Sequence, residues 1–175
     1  MKRIAIGAIV VGVGLFALVY LIGLLLPESH VASVRTVYEA SPARVFETIS
    51  DIEGQPEWRP SVERIEALPP REGKPAWREI GSTGPLPMEL TESEPPRRMV
   101  TTILSDGLPF GGRWIYEVEP TPAGAALTIT EEGEVYNPIF RFVSRFIMGH
   151  RGTATTYLRD LGRELGSEAD IEIVR

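Results

Sequence analysis

The chain has 175 residues, of which 43% are hydrophobic and 24% charged, a balance typical of one globular domain with room for an additional segment. It contains no cysteine and only two histidines, which excludes disulfides, thiolate metal sites and a multi-histidine metal centre. The net charge of −6 argues against nucleic acid as a partner, because an acidic domain repels phosphate backbones.

The first segment, residues 4–26, carries no charged residue and follows Lys2 and Arg3. As a helix it would be roughly 34 Å long, enough to cross a hydrocarbon layer of about 30 Å. The alternative is a cleaved secretion signal, but the apolar run is longer than such signals have, and residues 31–33 make a poor cleavage site. The sequence therefore predicts a transmembrane anchor over residues 1–27. The basic start predicts a single-pass membrane location, with the N-terminus cytoplasmic and the domain on the outer side.

The next segment alternates like a strand over residues 33–40 and then changes to a helical pattern. Ser41 is suited to cap a helix, and Pro42 to occupy its first position. A Gly-Gln-Pro turn at residues 54–56 separates this helix from Trp58. The pattern predicts two short helices after the first strand.

From residue 62 to 135 the chain reads as about six short strands divided by Pro- and Gly-rich breaks, the pattern of an antiparallel meander. Asn137 and Pro138 then open a helical stripe that continues to about Leu165. A sheet covered on one face by one long helix is a stable two-layer α+β arrangement. The first strand would have to join the meander as an edge.

The stretch ASPARVFETISDIEGQPEWRPSVERIE, together with the closing NPIFRFVSRFIMGHRGTATTYLRDLGREL, resembles the START-related helix-grip superfamily (SRPBCC). The polyketide cyclase/dehydrase and lipid-transport branch is the most similar. The resemblance covers about residues 31–165 and implies a curved antiparallel sheet of about seven strands wrapped on a long C-terminal helix. It also implies a cavity for a hydrophobic or lipid-like ligand. The domain is expected over residues 28–167, with a tail over residues 168–175.

Strand and helix phases place eight side chains where they could line that cavity, although the inward face at Trp77 stays open, and the resemblance implies that Trp58 lies near one end of it. For Glu131, His150 and Met88 an ordinary structural role is the alternative: a water-facing carboxylate near Gly133, a hydrogen-bonded packing histidine and a core methionine. Trp58 could equally serve only to anchor its turn. The candidates are Trp58, Trp77, Met88, Trp114, Tyr116, Glu131, Phe146, His150 and Tyr157.

Catalytic signatures are missing from the sequence: there is no nucleophile elbow, phosphate-binding loop, zinc motif or dinucleotide fingerprint. No catalytic residue, cofactor or metal is therefore assigned. The leading interpretation is a membrane-tethered, non-catalytic binding protein for a hydrophobic small molecule or lipid. Phe and Arg residues mixed in the first half of the last helix suggest a further contact with the membrane. One alternative is a polyketide cyclase/dehydrase-like enzyme using Glu131, His150 or Tyr157 as proton carriers, and another is an interaction module with a filled interior.

Overall fold

The computed structural model describes residues 2–82 and 84–174, with the side chains of all of these except residues 2–6, 8, 9 and 148. The chain contains five α-helices, one π-helical turn and eight strands within these limits. In chain order they are α1 (Lys2–Leu25), β1 (Ser29–Tyr38), α2 (Pro42–Ser50), α3 (Gln55–Trp58), β2 (Val62–Arg71), β3 (Lys74–Gly81), β4 (Gly84–Glu94), β5 (Arg98–Ile103), β6 (Phe110–Thr121), β7 (Gly124–Val135), α4 (Pro138–Val143), the π-helical turn Ser144–Met148, α5 (Gly152–Glu164) and β8 (Glu172–Ile173).

The strands form one antiparallel sheet in the order β2-β3-β4-β5-β6-β7-β1-β8. Strand β1 pairs with β7 along its whole length, so the first strand joins the end of the meander as predicted. The short strand β8 pairs with β1 at Val34 and Arg35, so part of the predicted tail becomes an eighth strand. The predicted α+β class with an antiparallel sheet is confirmed, with eight strands instead of about seven.

The two short helices form where local signals predict them. The Ser41 hydroxyl accepts a hydrogen bond from the Arg44 N–H at 3.2 Å, and Pro42 occupies the first turn of α2. The apolar face of α2 is buried against β6 and β7 through Val45, Phe46 and Ile49. Helix α3 then brings Trp58 against α5.

The core lies between one face of the sheet and α5. Leu158 and Leu161 of α5 are fully buried there, together with Leu127 and Ile129 of β7. Tyr38 at the end of β1 is also fully buried and donates a hydrogen bond to the Leu158 carbonyl at 2.7 Å. This bond fixes α5 along β1, because a buried hydroxyl is costly to leave without a partner.

The single long C-terminal helix predicted over residues 139–165 is wrong, because the chain breaks between the π-helical turn and α5. Gly149 has φ 73° and ψ 152°, a conformation that residues with a Cβ rarely adopt. The segment before the break packs against α1, whereas α5 packs against the sheet and α3. Gly149 and Gly152, which both have low helix propensity, mark the ends of the break.

Helix α1 contacts α4 near its own C-terminal end. A Cβ on Gly23 would lie 1.9 Å from the Pro138 carbonyl oxygen, so the two backbones touch there. Across the residues described here, no helix combines the length and hydropathy needed to cross a membrane. The predicted single-pass membrane location is therefore wrong, and the predicted transmembrane anchor is not supported.

Candidate functional site

A cavity of about 200 Å³ lies where the C-terminal helices diverge from the start of β1. Its wall combines ionisable and apolar side chains, contributed by the segment before β1, the end of β7, α4, the π-helical turn and the break. The lining residues are Leu26, Pro27, Glu28, Ser29, His30, Val135, Arg141, Ser144, Arg145 and His150. A larger depression of about 540 Å³ at the end of α5 is wide open and contains no aromatic side chain.

Behind the cavity, Glu131 of β7 contacts side chains on both strands that neighbour β7. In the sheet register Glu131 of β7 lies opposite Trp114 of β6 and Ala32 of β1. One carboxylate oxygen accepts a hydrogen bond from Trp114 Nε1 at 3.0 Å, and the other lies 3.1 Å from His30 Nε2. Both oxygens therefore have partners within the protein, and only 21% of the Glu131 side chain is exposed.

The position of His30 depends on the absence of a side chain in β7. His30 lies opposite Gly133 in the register, and a Cβ on Gly133 would be 2.2 Å from Cε1 of the imidazole. The glycine thus lets the ring lie directly over the β7 backbone. This close approach brings His30 within reach of Glu131.

His150, from the break before α5, stacks on His30. The two ring centroids are 3.7 Å apart, with 25° between the ring planes. Burial lowers the pKa of His150, and the neighbouring His30 lowers it further, while Glu131 acts in the opposite direction. His150 is therefore uncharged at neutral pH, since an ordinary histidine already has a pKa near 6.5.

On the other side of Glu131, four aromatic residues form a cluster between α3, α5 and the sheet. The Tyr157 ring of α5 lies 5.2 Å from Trp58, 5.7 Å from Trp114 and 5.7 Å from Tyr116, measured between centroids. We call Trp58, Trp114, Tyr116 and Tyr157 the aromatic cluster. Burial raises the pKa of Tyr116 to about 12 and that of Tyr157 well above its usual value, so both phenols stay protonated.

A buried ion pair borders the aromatic cluster. The Arg59 guanidinium donates two hydrogen bonds to the Glu79 carboxylate, each at 3.2 Å, and also bonds Gln55. The guanidinium carbon lies 5.0 Å from the Tyr157 ring centroid, in cation–π range. Burial acts to lower the pKa of Arg59, but the Glu79 carboxylate outweighs it and holds the pKa above its ordinary value.

Six of the nine predicted residues come together in one connected group. Trp58, Trp114, Tyr116 and Tyr157 form the aromatic cluster, and Glu131 links Trp114 through His30 to His150. This contact series joins the interior to the wall of the cavity.

The other three predicted residues lie elsewhere. Trp77 and Met88 are buried opposite each other in β3 and β4, outside the central core cluster. Phe146 is not brought to the interior: its side chain is 60% exposed and its ring lies 4.9 Å from Phe142. Phe146 is exposed because the π-helical turn lies before the break and does not run along the sheet as α5 does.

Sequence reasoning did not assign His30, Arg59 or Glu79. His30 belongs to β1, which begins at Ser29, and extending the strand alternation back from Val34 would have placed it on the inner face. Arg59 follows Trp58 directly, and Glu79 shares a strand face with Trp77. Their pairing depends on how α3 lies against β3, a long-range contact without a local signal.

The part of the chain that the structure describes contains no group of three or more His, Cys, Asp or Glu side chains arranged to hold a metal ion. The polar atoms of the site face one another and the cavity instead. Their arrangement suits hydrogen bonding and proton exchange with an organic ligand.

The eight-stranded antiparallel sheet with α2 and α3 inserted after its first strand and α5 packed across it defines an α+β helix-grip domain. Residues 29–163 match the family described as "Polyketide cyclase / dehydrase and lipid transport", and the chain belongs to that family. The resemblance stated from the sequence is thus confirmed at the level of the superfamily. No curated protein matches the chain.

Solved structures with the same fold include an aromatase/cyclase, Zhui from Streptomyces sp. R1128 (TM-score 0.61, 15% identity, 78% of this chain and 94% of that one). A START superfamily protein from Mycobacterium smegmatis has a TM-score of 0.60 at 16% identity, covering 80% of this chain and 98% of that one. Protein MLL2253 from Mesorhizobium loti has a TM-score of 0.60 at 18% identity, covering 78% and 97%. At these identities the similarity shows the fold alone.

Proposed function

We propose that this chain binds an apolar small molecule, aromatic or lipid-like, in the cavity at the helix break and against the adjoining aromatic cluster, without catalysing a reaction. The observation that carries the proposal is the Tyr157 hydroxyl, which is buried within the aromatic cluster beside the Tyr116 hydroxyl and forms no hydrogen bond of normal geometry. A buried hydroxyl without a partner costs about 1–3 kcal/mol. A ligand oxygen placed beside Tyr157 would remove that cost.

Two further buried polar atoms on the same face of the sheet support the proposal. The Thr101 hydroxyl lies near the Tyr116 hydroxyl but forms no hydrogen bond of normal geometry, and Thr101 lies opposite Trp114 in the register of β5 and β6. The indole N–H of Trp77 is also buried without a partner, and Trp77 lies on the β3 face that carries Glu79. Apolar walls with a few unpaired polar groups are the usual composition of a small-molecule site.

The family match points to the same class of ligand. The family description names polyketide chemistry and lipid transport, and the Streptomyces protein with this fold is described as an aromatase/cyclase. Polyketides and lipids share an extended carbon skeleton that carries separate oxygen atoms, which suits a site of aromatic rings and single polar atoms.

The test uses the purified full chain with Nile red, an uncharged apolar dye, and native mass spectrometry of whatever co-purifies. We expect saturable dye fluorescence, and a weaker response after Tyr157→Phe, which removes only the hydroxyl. Tyr136→Phe is the matched control, because the Tyr136 side chain is exposed and its hydroxyl bonds Glu134. Absence of both saturable dye binding and a co-purifying small molecule would contradict the proposal.

A second candidate function, acid–base catalysis of a cyclase or dehydratase type, is favoured by one observation. The His30 imidazole lies against the Glu131 carboxylate at the wall of the cavity, and uncharged His150 stacks upon it. A carboxylate that orients an imidazole is an arrangement used for proton transfer.

The catalytic candidate is tested by incubating the chain with a short poly-β-ketone thioester and following cyclised product. Glu131→Gln keeps the shape but removes the charge, and would lower the rate by about 100-fold or more if the pair transfers protons. A rate equal to that of the uncatalysed reaction in the wild-type chain would exclude this candidate.

A further inference from the structure

We infer that the cavity at the helix break is a site for a small oxyanion, the carboxylate, sulfonate or phosphate head of an amphiphilic ligand, and that protonation of His150 accompanies its binding. The inference rests on the proposed function, since it assigns a charged end to the apolar ligand proposed above. The charges that line the cavity support it.

The cavity wall carries more positive than negative groups. Arg141 is buried and already bonded within the protein: it donates to Glu28, to the Val135 carbonyl at 2.7 Å and to the Tyr136 carbonyl at 3.0 Å. Arg145 lines the same cavity and forms no ion pair with any residue within the described ranges. Its guanidinium is therefore available for an external anion.

The two carboxylates near the cavity already have partners. Glu28 is paired with Arg141, and Glu131 is engaged by His30 and Trp114. An anion in the cavity would therefore meet Arg145 and His150, with Glu28 already paired with Arg141 and both Glu131 oxygens already hydrogen-bonded. Arg151, next to His150 in sequence, adds to the positive field there.

His150 is the group that an anion would affect most. Without an anion, burial together with His30, Arg145 and Arg151 disfavours its charged form, and only Glu131 favours it. An oxyanion close to the ring favours the charged form, so its binding would raise the pKa of His150 and take up a proton. By linkage, affinity for the anion must rise as the pH falls through the pKa of His150.

The size and the remaining lining suit a head group that carries an apolar substituent. A volume of about 200 Å³ equals that of roughly seven liquid water molecules, enough for a sulfonate or phosphate group. Leu26, Pro27 and Val135 line the same cavity and provide apolar contact for the first carbons. The series from His30 through Glu131 to Trp114 then leads to the aromatic cluster.

The test is calorimetric titration of the full chain with octanesulfonate and with 1-octanol, which share an alkyl chain but differ in charge. The sulfonate stays ionised at every pH used, so a pH effect must come from the protein. We expect octanesulfonate to bind at least about tenfold more tightly at pH 6 than at pH 8, and octanol to bind equally at both. Inorganic phosphate as competitor distinguishes a site for any free anion from one that needs the alkyl chain.

Two variants localise the effect. His150→Phe keeps a ring for stacking but cannot be protonated, and should remove most of the pH dependence. Arg145→Gln should weaken the binding of octanesulfonate by about three- to tenfold and leave the binding of octanol unchanged. The exposed control Arg44→Gln should change neither affinity. Equal affinity for octanesulfonate and octanol would overturn the inference and leave the proposed function standing. If octanol also fails to bind, the proposed function fails with it.

Discussion

Gly133 shows how a single missing side chain positions a functional one. Alanine there would place its Cβ 2.2 Å from His30 Cε1, and the ring cannot retreat freely because His150 stacks on it. We expect Gly133→Ala to displace His30 from Glu131 and to lower the free energy of unfolding by about 1–3 kcal/mol. Urea unfolding followed by tryptophan fluorescence measures the change.

The control for this substitution is Gly152→Ala. Gly152 begins α5, and a Cβ there would meet no atom within 4 Å. Alanine is the better helix former by up to about 1 kcal/mol, so this variant should be as stable as the wild type or more so. If Gly133→Ala were equally well tolerated, the close approach of His30 to β7 would not exist in solution.

Tyr38 and Tyr157 are both buried, but their hydroxyl groups differ in hydrogen bonding. The Tyr38 hydroxyl donates to the Leu158 carbonyl, whereas the Tyr157 hydroxyl lies near Tyr116 without a hydrogen bond of normal geometry. Tyr38→Phe should therefore lower the free energy of unfolding by about 0.5–1.5 kcal/mol, while Tyr157→Phe leaves it unchanged or raises it in the ligand-free protein. Thermal unfolding of the two variants side by side checks this. An equal loss in both would mean that the Tyr157 hydroxyl is bonded in solution.

At the scale of single elements, local chemistry explains which features could be predicted. The start of α2 was predictable because Ser41 and Pro42 satisfy its free N–H groups within the same few residues. The break before α5 was not, because Gly149 and Gly152 lower helix propensity without specifying where the chain turns. The direction of α4 follows from its contact with α1, more than a hundred residues away in sequence.

Arg141 is the residue that attaches α4 to the sheet. It bonds two carbonyls at the end of β7 and the carboxylate of Glu28, and only 7% of it is exposed. We expect Arg141→Ala to lower the free energy of unfolding by about 2–4 kcal/mol, because it leaves two carbonyls without a donor and removes the packing of a buried side chain, while the exposed Glu28 stays hydrated. Arg145 lies on the exposed side of the next turn, so Arg145→Ala should change the free energy of unfolding by less than about 0.5 kcal/mol. Chemical denaturation compares the two. A similar small change in both would show that α4 is held by apolar contacts alone.

At the scale of the whole molecule, the site was predictable where strand alternation decides it. Trp114, Tyr116 and Glu131 lie on the inner face because antiparallel partners share a face, and the phase of each strand was visible in the sequence. The pairing of Arg59 with Glu79, and the stacking of His150 on His30, join residues far apart in the chain. Such contacts depend on sheet register and helix direction, which single-strand patterns do not contain.

Three buried tyrosines make the stability of the whole domain depend on alkaline pH. Burial raises the pKa of all three side chains, Tyr38, Tyr116 and Tyr157, and that of Tyr116 reaches about 12. The folded chain therefore keeps these protons at a pH near 10, where the unfolded chain releases them. The unfolded state then binds fewer protons, and stability must fall as the pH rises above about 10. The fall should approach about 1 kcal/mol per pH unit for each tyrosine.

Urea unfolding between about pH 9 and pH 11, with tyrosinate absorbance recorded in parallel, measures this dependence. The absorbance of the three buried tyrosines should appear only with unfolding, and Tyr157→Phe should reduce the pH slope by about one third while Tyr136→Phe leaves it unchanged. Tyrosinate absorbance that develops completely while near-ultraviolet circular dichroism stays native would mean that solvent reaches the aromatic cluster. In that case the aromatic cluster would be open to water and would not hold the apolar ligand in a dry interior.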